Sequence, residues 1–171
     1  MTSRELHRLS PNQKEILAKY TGEYPVKLGS LARELGVAGI KVSSMRTGIS
    51  GQIMKEGENY IIRVNRNESR ERQRFTIAHE LSHYLLHRHV IDSSPDGITD
   101  NVLYRSGAPE RIEYEANRLA ADLVMPLELV EDKLKREFGG VVTEATIESL
   151  AASFGVSKAA MEIRLSTFAE A

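Results

Sequence analysis

The sequence of 171 residues contains no cysteine. Disulfide bonds, thiolate metal sites and cysteine nucleophiles are therefore excluded. An excess of positive charge is lacking as well, since 23 Lys and Arg residues face 24 Asp and Glu residues and the formal net charge is −1. Proteins that bind nucleic acid through bulk electrostatics are usually basic, so this charge argues against direct nucleic-acid binding.

Long hydrophobic runs are also absent. No stretch of about 18 apolar residues occurs, which predicts that no helix spans a membrane. The first residues lack the apolar core and the small-residue cleavage site of a secretory signal, so we expect a cytoplasmic location and no membrane partner. Hydrophobic residues at 41% and charged residues at 27% are typical of a globular domain with a core. No sequence feature specifies an oligomeric state.

Apolar periodicity predicts an α+β fold. Helical spacing, caps and breakers predict helices over residues 11–20, 28–35, 70–87, 109–124, 126–138, 143–153 and 157–168. Three short apolar segments, 40–42, 49–54 and 60–64, predict a small three-stranded sheet with a hairpin between the second and third strands. Residues 1–10 are expected to form a loose polar arm, and residues 88–108 a long loop.

One short pattern points to chemistry: His79-Glu80-Leu81-Ser82-His83. Histidines four positions apart on a helix share a face, so both imidazoles can reach one tetrahedral zinc at about 2.0–2.1 Å. Glu80 then lies beside the metal, where it can take a proton from the zinc-bound water and pass it to a leaving amine. The alternative is an amphipathic helix whose polar face happens to contain two histidines.

A catalytic zinc needs a third protein ligand, and the residues offer two candidates. His89 lies six positions after His83, as in a longer metalloprotease motif, but Leu86 stands where that motif needs a glycine to turn the chain. Glu113 is the second candidate, and Asn117 shares its helix face, so one can ligate while the other orients a ligating histidine. Spacing alone leaves Glu113 open between a ligand and a solvated carboxylate near a helix start.

Four further features are not expected to supply a metal ligand. His87 lies a further turn along the motif helix and Glu115 points away from the face of Glu113, so neither is expected to ligate. Tyr104 in the long loop could polarise a substrate carbonyl. The strand at 49–54 could be a sheet edge that holds a substrate backbone by strand addition.

Several segments together resemble a known family. They are residues 25–42, Ile49-Ser50-Gly51, residues 62–65, 74–87 and 113–126, the last with an E-x-E-A-N…A-A-x-L-x-M-P pattern. Over roughly residues 25–126 the chain resembles the ImmA/IrrE family of zinc metallopeptidases. The resemblance implies a gluzincin-like site in which His79, His83 and Glu113 bind zinc. It also implies that Glu80 is the general base. With Glu113 as the ligand, Asn117 on the same helix face is the residue expected to orient a ligating histidine.

We predict a zincin-like metallopeptidase domain over residues 1–126, of which residues 1–24 are an N-terminal arm and a helix. Residues 127–171 are predicted to form a helical unit packed on that domain, and its last two helices look like a helix-turn-helix. Residues 139–171 contain two basic and four acidic residues. Because a recognition helix that approaches phosphate is usually basic, we interpret this unit as a packing or partner-docking element.

The expected function is that of a zinc-dependent endopeptidase acting on a regulatory protein. Members of the family are associated with cleaving or inactivating helix-turn-helix repressors in mobile elements, stress responses and toxin–antitoxin-like operons. The resemblance therefore implies a helix-turn-helix transcriptional repressor as the protein substrate. Two alternatives remain open: a non-enzymatic zinc-containing module that sequesters a regulator, and a DNA-binding regulator that uses the C-terminal helices.

Overall fold

The computed structural model describes residues 3–101 and 110–169. Its helices are α1 (Pro11–Tyr20), α2 (Leu28–Leu35), α3 (Arg70–Leu86), α4 (Arg88–Asp92), α5 (Glu110–Val124), α6 (Leu127–Phe138), α7 (Glu144–Phe154) and α8 (Lys158–Ala169). Its strands are β1 (Gly39–Ser43), β2 (Ile49–Glu56), β3 (Asn59–Asn65) and β4 (Ile98–Asn101), and a short 3₁₀ helix, Leu6–Arg8, precedes α1. The predicted α+β class is confirmed.

The helix ends follow the predicted local signals. Ser10 caps α1 and forms a reciprocal capping box with Gln13. α2 ends at Gly36 and α6 at Gly139, both in the left-handed conformation that glycine adopts without strain. Across the described part of the chain, none of the helices combines the length and the apolar character needed to cross a bilayer.

The sheet contains four strands in the order β1-β3-β2-β4, so the predicted three-stranded sheet was one strand short. β2 and β3 form the predicted antiparallel hairpin, and β1 pairs with β3 in parallel. The segment predicted as a continuous loop contains α4 and β4, and β4 pairs antiparallel with β2. β2 is therefore an interior strand, and the prediction that it forms a sheet edge was wrong.

Gly97 explains how β4 comes against β2. Its φ is +63°, and a Cβ atom at this position would lie 1.9 Å from the carbonyl oxygen of Ile53. Only glycine fits so close to a neighbouring backbone. The same glycine, read locally, indicates a turn, and β4 is only four residues long, so its pairing with β2 had no local signature.

The N-terminal segment, residues 3–9, is not a loose arm. Glu5 and Leu9 are buried. The guanidinium of Arg118 on α5 donates a hydrogen bond of 2.6 Å to Glu5, and the backbone N–H of Ser3 donates one of 3.0 Å to Asp122. These partners are more than 100 residues away in sequence, which is why local polarity suggested a free arm.

Helix α3 lies between the sheet and α5. It packs on β2 and β3 on one side and on α5 on the other. Residues 78–84 are all buried, including the whole His79–His83 motif. The polar residues of the motif therefore face other protein groups rather than bulk solvent.

The C-terminal helices α7 and α8 follow each other across a tight turn at Gly155, close to the predicted bounds. Arg164 on α8 is buried and donates hydrogen bonds of 2.9 Å to Asp122 and to the Met125 carbonyl. Lys158 pairs with carboxylates of α7. Both basic residues of this region thus form contacts within the fold. The helix-turn-helix interpretation and a domain boundary near residue 126 stay predictions.

Candidate metal centre

Three side chains converge between α3 and α5. The Nε2 atoms of His79 and His83 lie 3.1 Å apart. The carboxylate oxygens of Glu113 lie 3.1 Å from Nε2 of His79 and 3.2 Å from Nε2 of His83. The structure therefore brings together the two motif histidines and the acidic residue on the next long helix, a group that could hold a metal ion.

The spacing and chemistry of this group fit a divalent metal. Ligand atoms that lie about 2.0–2.1 Å from a tetrahedral zinc are roughly 3.3 Å from one another, close to the separations among these three side chains. Two imidazole nitrogens and a carboxylate are donors that suit zinc and related first-row ions.

The outer hydrogen bond of His79 strengthens this fit. The Oδ1 atom of Asn117 lies 2.9 Å from Nδ1 of His79. An amide oxygen only accepts, so Nδ1 carries the proton and Nε2 presents a lone pair. That lone pair then faces an oxygen of Glu113 at 3.1 Å, a contact between two acceptors that a bound cation makes favourable.

The ionisation of the group suits the same role. Burial lowers the pKa of His83 to about 4, with Glu113 acting in the opposite direction, so this imidazole is neutral near pH 7. Burial alone would raise the pKa of Glu113, but protons on the facing Nε2 atoms of His79 and His83 outweigh burial and hold that pKa below its usual range. A cation bound there in place of those protons acts in the same direction. Neutral imidazoles and an ionised carboxylate are the forms that bind metal.

Glu80 is the least satisfied polar group of the site. Its side chain is 0% exposed, and neither carboxylate oxygen has a hydrogen-bond partner among residues 3–101 and 110–169. Burial, and then the nearby carboxylates of Asp100 and Glu113, raise the pKa of Glu80 well above its usual range. A buried carboxyl group without partners is costly, and such groups concentrate where chemistry is done.

Gly51 on β2 lets the sheet approach α3 at this point. A Cβ atom there would lie 2.4 Å from Cγ2 of Thr76 and 2.7 Å from the carbonyl oxygen of Arg63. The same Cβ would lie 3.8 Å from Cγ of Glu80. The glycine thus permits the close strand–helix contact that encloses the Glu80 side chain.

The sequence profile of the IrrE N-terminal-like domain, peptidase family M78, matches residues 32–166. The match covers more than half of the 171 residues. The chain belongs to this family. The predicted resemblance to ImmA/IrrE metallopeptidases is thereby confirmed, and membership implies a metal in the site.

Two relatives of this M78 chain carry names. The radiation response metalloprotease IrrE of Deinococcus deserti is 39% identical over 83 residues, which cover 46% of this chain and 27% of that protein. The metallopeptidase ImmA of Bacillus subtilis is 29% identical over 113 residues, which cover 66% of this chain and 59% of that protein. The alignments therefore span less than two thirds of either relative.

Sequence reasoning missed the contacts that two residues, His87 and Glu115, make next to the candidate metal centre. Nδ1 of His87 lies 2.9 Å from Nδ1 of His83, and Nε2 of His87 lies 3.1 Å from Oε1 of Glu115. His87 was set aside because it lies one turn beyond the motif. The four-residue spacing from His83 to His87 was the signal that could have found this contact.

Of the remaining sequence candidates, the structure describes His89. His89 is exposed on α4 and belongs to neither group of potential ligands in the described residues. The second such group joins His79 and Glu80 to Asp100 on β4, the strand that sequence reasoning did not predict. Tyr104 lies outside the described residues.

Proposed function

We propose that this chain is a zinc-dependent endopeptidase. One observation carries the proposal: the buried carboxyl group of Glu80, which has no hydrogen-bond partner among the described residues, lies next to three side chains that could hold a metal. Membership in a peptidase family and the names of both relatives support the same activity.

In this proposal His79, His83 and Glu113 hold the zinc, and Asn117 orients His79 through its amide oxygen. When bound, the zinc supplies a Lewis acid that polarises the scissile carbonyl and makes water acidic enough to react near pH 7. His79 and His83 are both buried on α3, where packing restricts their movement and favours a preformed site.

Glu80 is the general base of the proposed reaction. Its carboxylate takes a proton from the attacking water as the water oxygen bonds to the carbonyl carbon of the substrate. The same group then gives that proton to the amide nitrogen as the carbon–nitrogen bond breaks, so an acid and an amine are released. A pKa raised by burial makes Glu80 a stronger base than an exposed glutamate.

The proposed substrate is a regulatory protein of the cytoplasm, specifically a helix-turn-helix transcriptional repressor. The resemblance of residues 25–126 to the ImmA/IrrE family supports this choice. Residues 127–171 are proposed as a helical unit packed on a peptidase domain of residues 1–126, and the Arg164–Asp122 ion pair supports that packing.

The function is tested by incubating candidate repressors with the zinc-loaded protein and with its Glu80→Gln variant, then identifying fragments by mass spectrometry. Removing a general base typically costs about 10²–10⁴-fold in rate, so cleavage should fall by that factor while zinc stays bound. Glu128→Gln, a change at an exposed position of α6, is the matched control and should cleave normally.

The alternatives give different results in the same experiment. A module that only sequesters a regulator would inactivate the repressor equally well with Glu80→Gln and produce no fragments. A DNA-binding regulator would instead shift DNA in a salt-dependent manner without any repressor present.

A further inference from the structure

A chain of three side chains lies behind His83 on the side away from the candidate metal centre. His87 contacts Nδ1 of His83 at 2.9 Å, and Glu115 contacts Nε2 of His87 at 3.1 Å. The guanidinium of Arg8, in the N-terminal segment, pairs with the other oxygen of Glu115. We call His87, Glu115 and Arg8 the outer chain.

The outer chain is built into the fold. His87 is 2% exposed and follows the last residue of α3, where its backbone N–H donates a 2.7 Å hydrogen bond to the carbonyl of His83. The side chain of Glu115 is 13% exposed, and that of Arg8 is 45% exposed at the outer end. The contact nearest the metal centre is thus buried, and exposure increases outwards through Glu115 to Arg8.

Glu115 fixes the direction of the hydrogen bonds along this chain. A carboxylate accepts only, so the nitrogen of His87 that faces Glu115 must carry the proton. His87 in its neutral form then has a lone pair on Nδ1, which accepts from Nδ1–H of His83. His83 is left with a lone pair on Nε2, the atom that faces Glu113 and His79.

The opposite direction places two acceptors against each other. If Nδ1 of His87 donated to His83, Nε2 of His87 would turn a lone pair towards the carboxylate of Glu115. Arg8 further favours the ionised form of Glu115, because its cation contacts the same carboxylate. The outer chain therefore favours one tautomer of His83.

We propose that His87, held by Glu115 and Arg8, is a positioning residue that keeps His83 protonated on Nδ1 and its Nε2 free to bind metal. The proposal rests on the proposed function in one respect, the role of His83 as a ligand. Outer partners that fix the tautomer of a ligating histidine commonly contribute about 10–100-fold to metal affinity. Here the partner is a second histidine, with the carboxylate one residue further out.

The test measures zinc affinity by competition with a chromogenic chelator. His87→Leu removes the acceptor and should weaken zinc binding by about 10–100-fold. His89→Leu makes the same change at an exposed position two residues later and should stay within about two-fold of the wild type, as expected of a surface change. His87→Asn restores an amide oxygen near the position of Nδ1 and should recover most of the affinity.

A second readout needs no metal. In the zinc-free protein Glu113 favours a proton on Nε2 of His83, whereas His87 favours one on Nδ1. Nitrogen NMR should therefore show a larger Nδ1–H fraction for His83 in the wild type than in His87→Leu. A purely structural role for His87 would leave this fraction unchanged. Should His87→Leu not fold by circular dichroism, Glu115→Ala tests the same chain nearer the surface and should lose about ten-fold in affinity.

The outcomes separate the two proposals. If the folded variant keeps wild-type affinity and the wild-type tautomer, the positioning role is refuted while the zinc site stands. If the wild type binds no zinc, the proposed function fails, and the tautomer measurement still decides whether His87 controls His83.

Discussion

The two histidines of the motif are supported in different ways. His79 donates to the amide oxygen of Asn117, so its support lies entirely within α3 and α5. His83 is supported through His87 and Glu115, and that support ends at Arg8 in the N-terminal segment. Two residues one turn apart on the same helix therefore depend on different parts of the chain.

The comparison shows that the outer hydrogen bonds of the two motif histidines come from residues outside the motif. The His79 side uses one neutral hydrogen bond, whereas the His83 side ends in a charged pair that couples the centre to residues 3–9. Outer partners of this kind fix the tautomer of a ligating histidine and raise its basicity. The N-terminal segment is accordingly part of the site's support, although it supplies none of the proposed ligands.

Zinc binding should stabilise both sides together, and this is the largest expected effect. With free zinc at 100 times its dissociation constant, the free energy of unfolding should rise by about 2.7 kcal/mol. For a chain of this size that corresponds to a Tm increase of roughly 5–10 °C. Thermal scans with zinc and with excess chelator measure it; an equal Tm in both conditions would mean that zinc does not bridge the two helices.

Removing the hydrogen bond between His79 and Asn117 should have the next largest effect. Asn117→Ala removes the acceptor of Nδ1–H and should weaken zinc binding by about 10–100-fold. Asn117→Asp keeps an acceptor at the same position and should bind zinc at least as well as Asn117→Ala does. Competition with a chelator measures both, and equal, wild-type-like affinities would show that Asn117 does not support the site.

Removing the Arg8 contact at the outer end of the chain behind His83 should have the smallest effect on zinc affinity. Arg8→Ala removes a partly exposed ion pair, which is worth at most about 1 kcal/mol, so zinc affinity should fall by no more than about five-fold. Arg4→Ala, on the same segment and exposed, is the matched control and should change nothing. Equal losses in both variants would assign the effect to the net charge of the segment and not to Glu115.

Much of the fold could be predicted because its signals are local. The Ser10 cap, the Gly36 stop and the hairpin between β2 and β3 are written in short stretches of sequence. β4 and the docked N-terminal segment could not be predicted, because both depend on partners far away in the chain. The close approach at Gly97 and the Glu5–Arg118 ion pair exist only once those partners are in place.

The same distinction between local signals and distant partners applies to the candidate site. The spacing of His79, Glu80 and His83 pointed to a metal centre without further information. Spacing left Glu113 open, and only the family resemblance favoured it as a ligand. The contact between His83 and His87 had a local signal in their four-residue spacing, but the contact of His87 with Glu115 joins residues 28 positions apart and had none.

The zinc site itself is tested most directly by the metal content and zinc affinity of the purified protein beside Glu113→Ala and His89→Ala. The proposed ligand set predicts about one zinc per chain, an affinity weakened by tens-fold or more in Glu113→Ala, and no change in His89→Ala. A wild type that stays free of zinc after reconstitution, or a Glu113→Ala variant that binds zinc as tightly as the wild type, would contradict it.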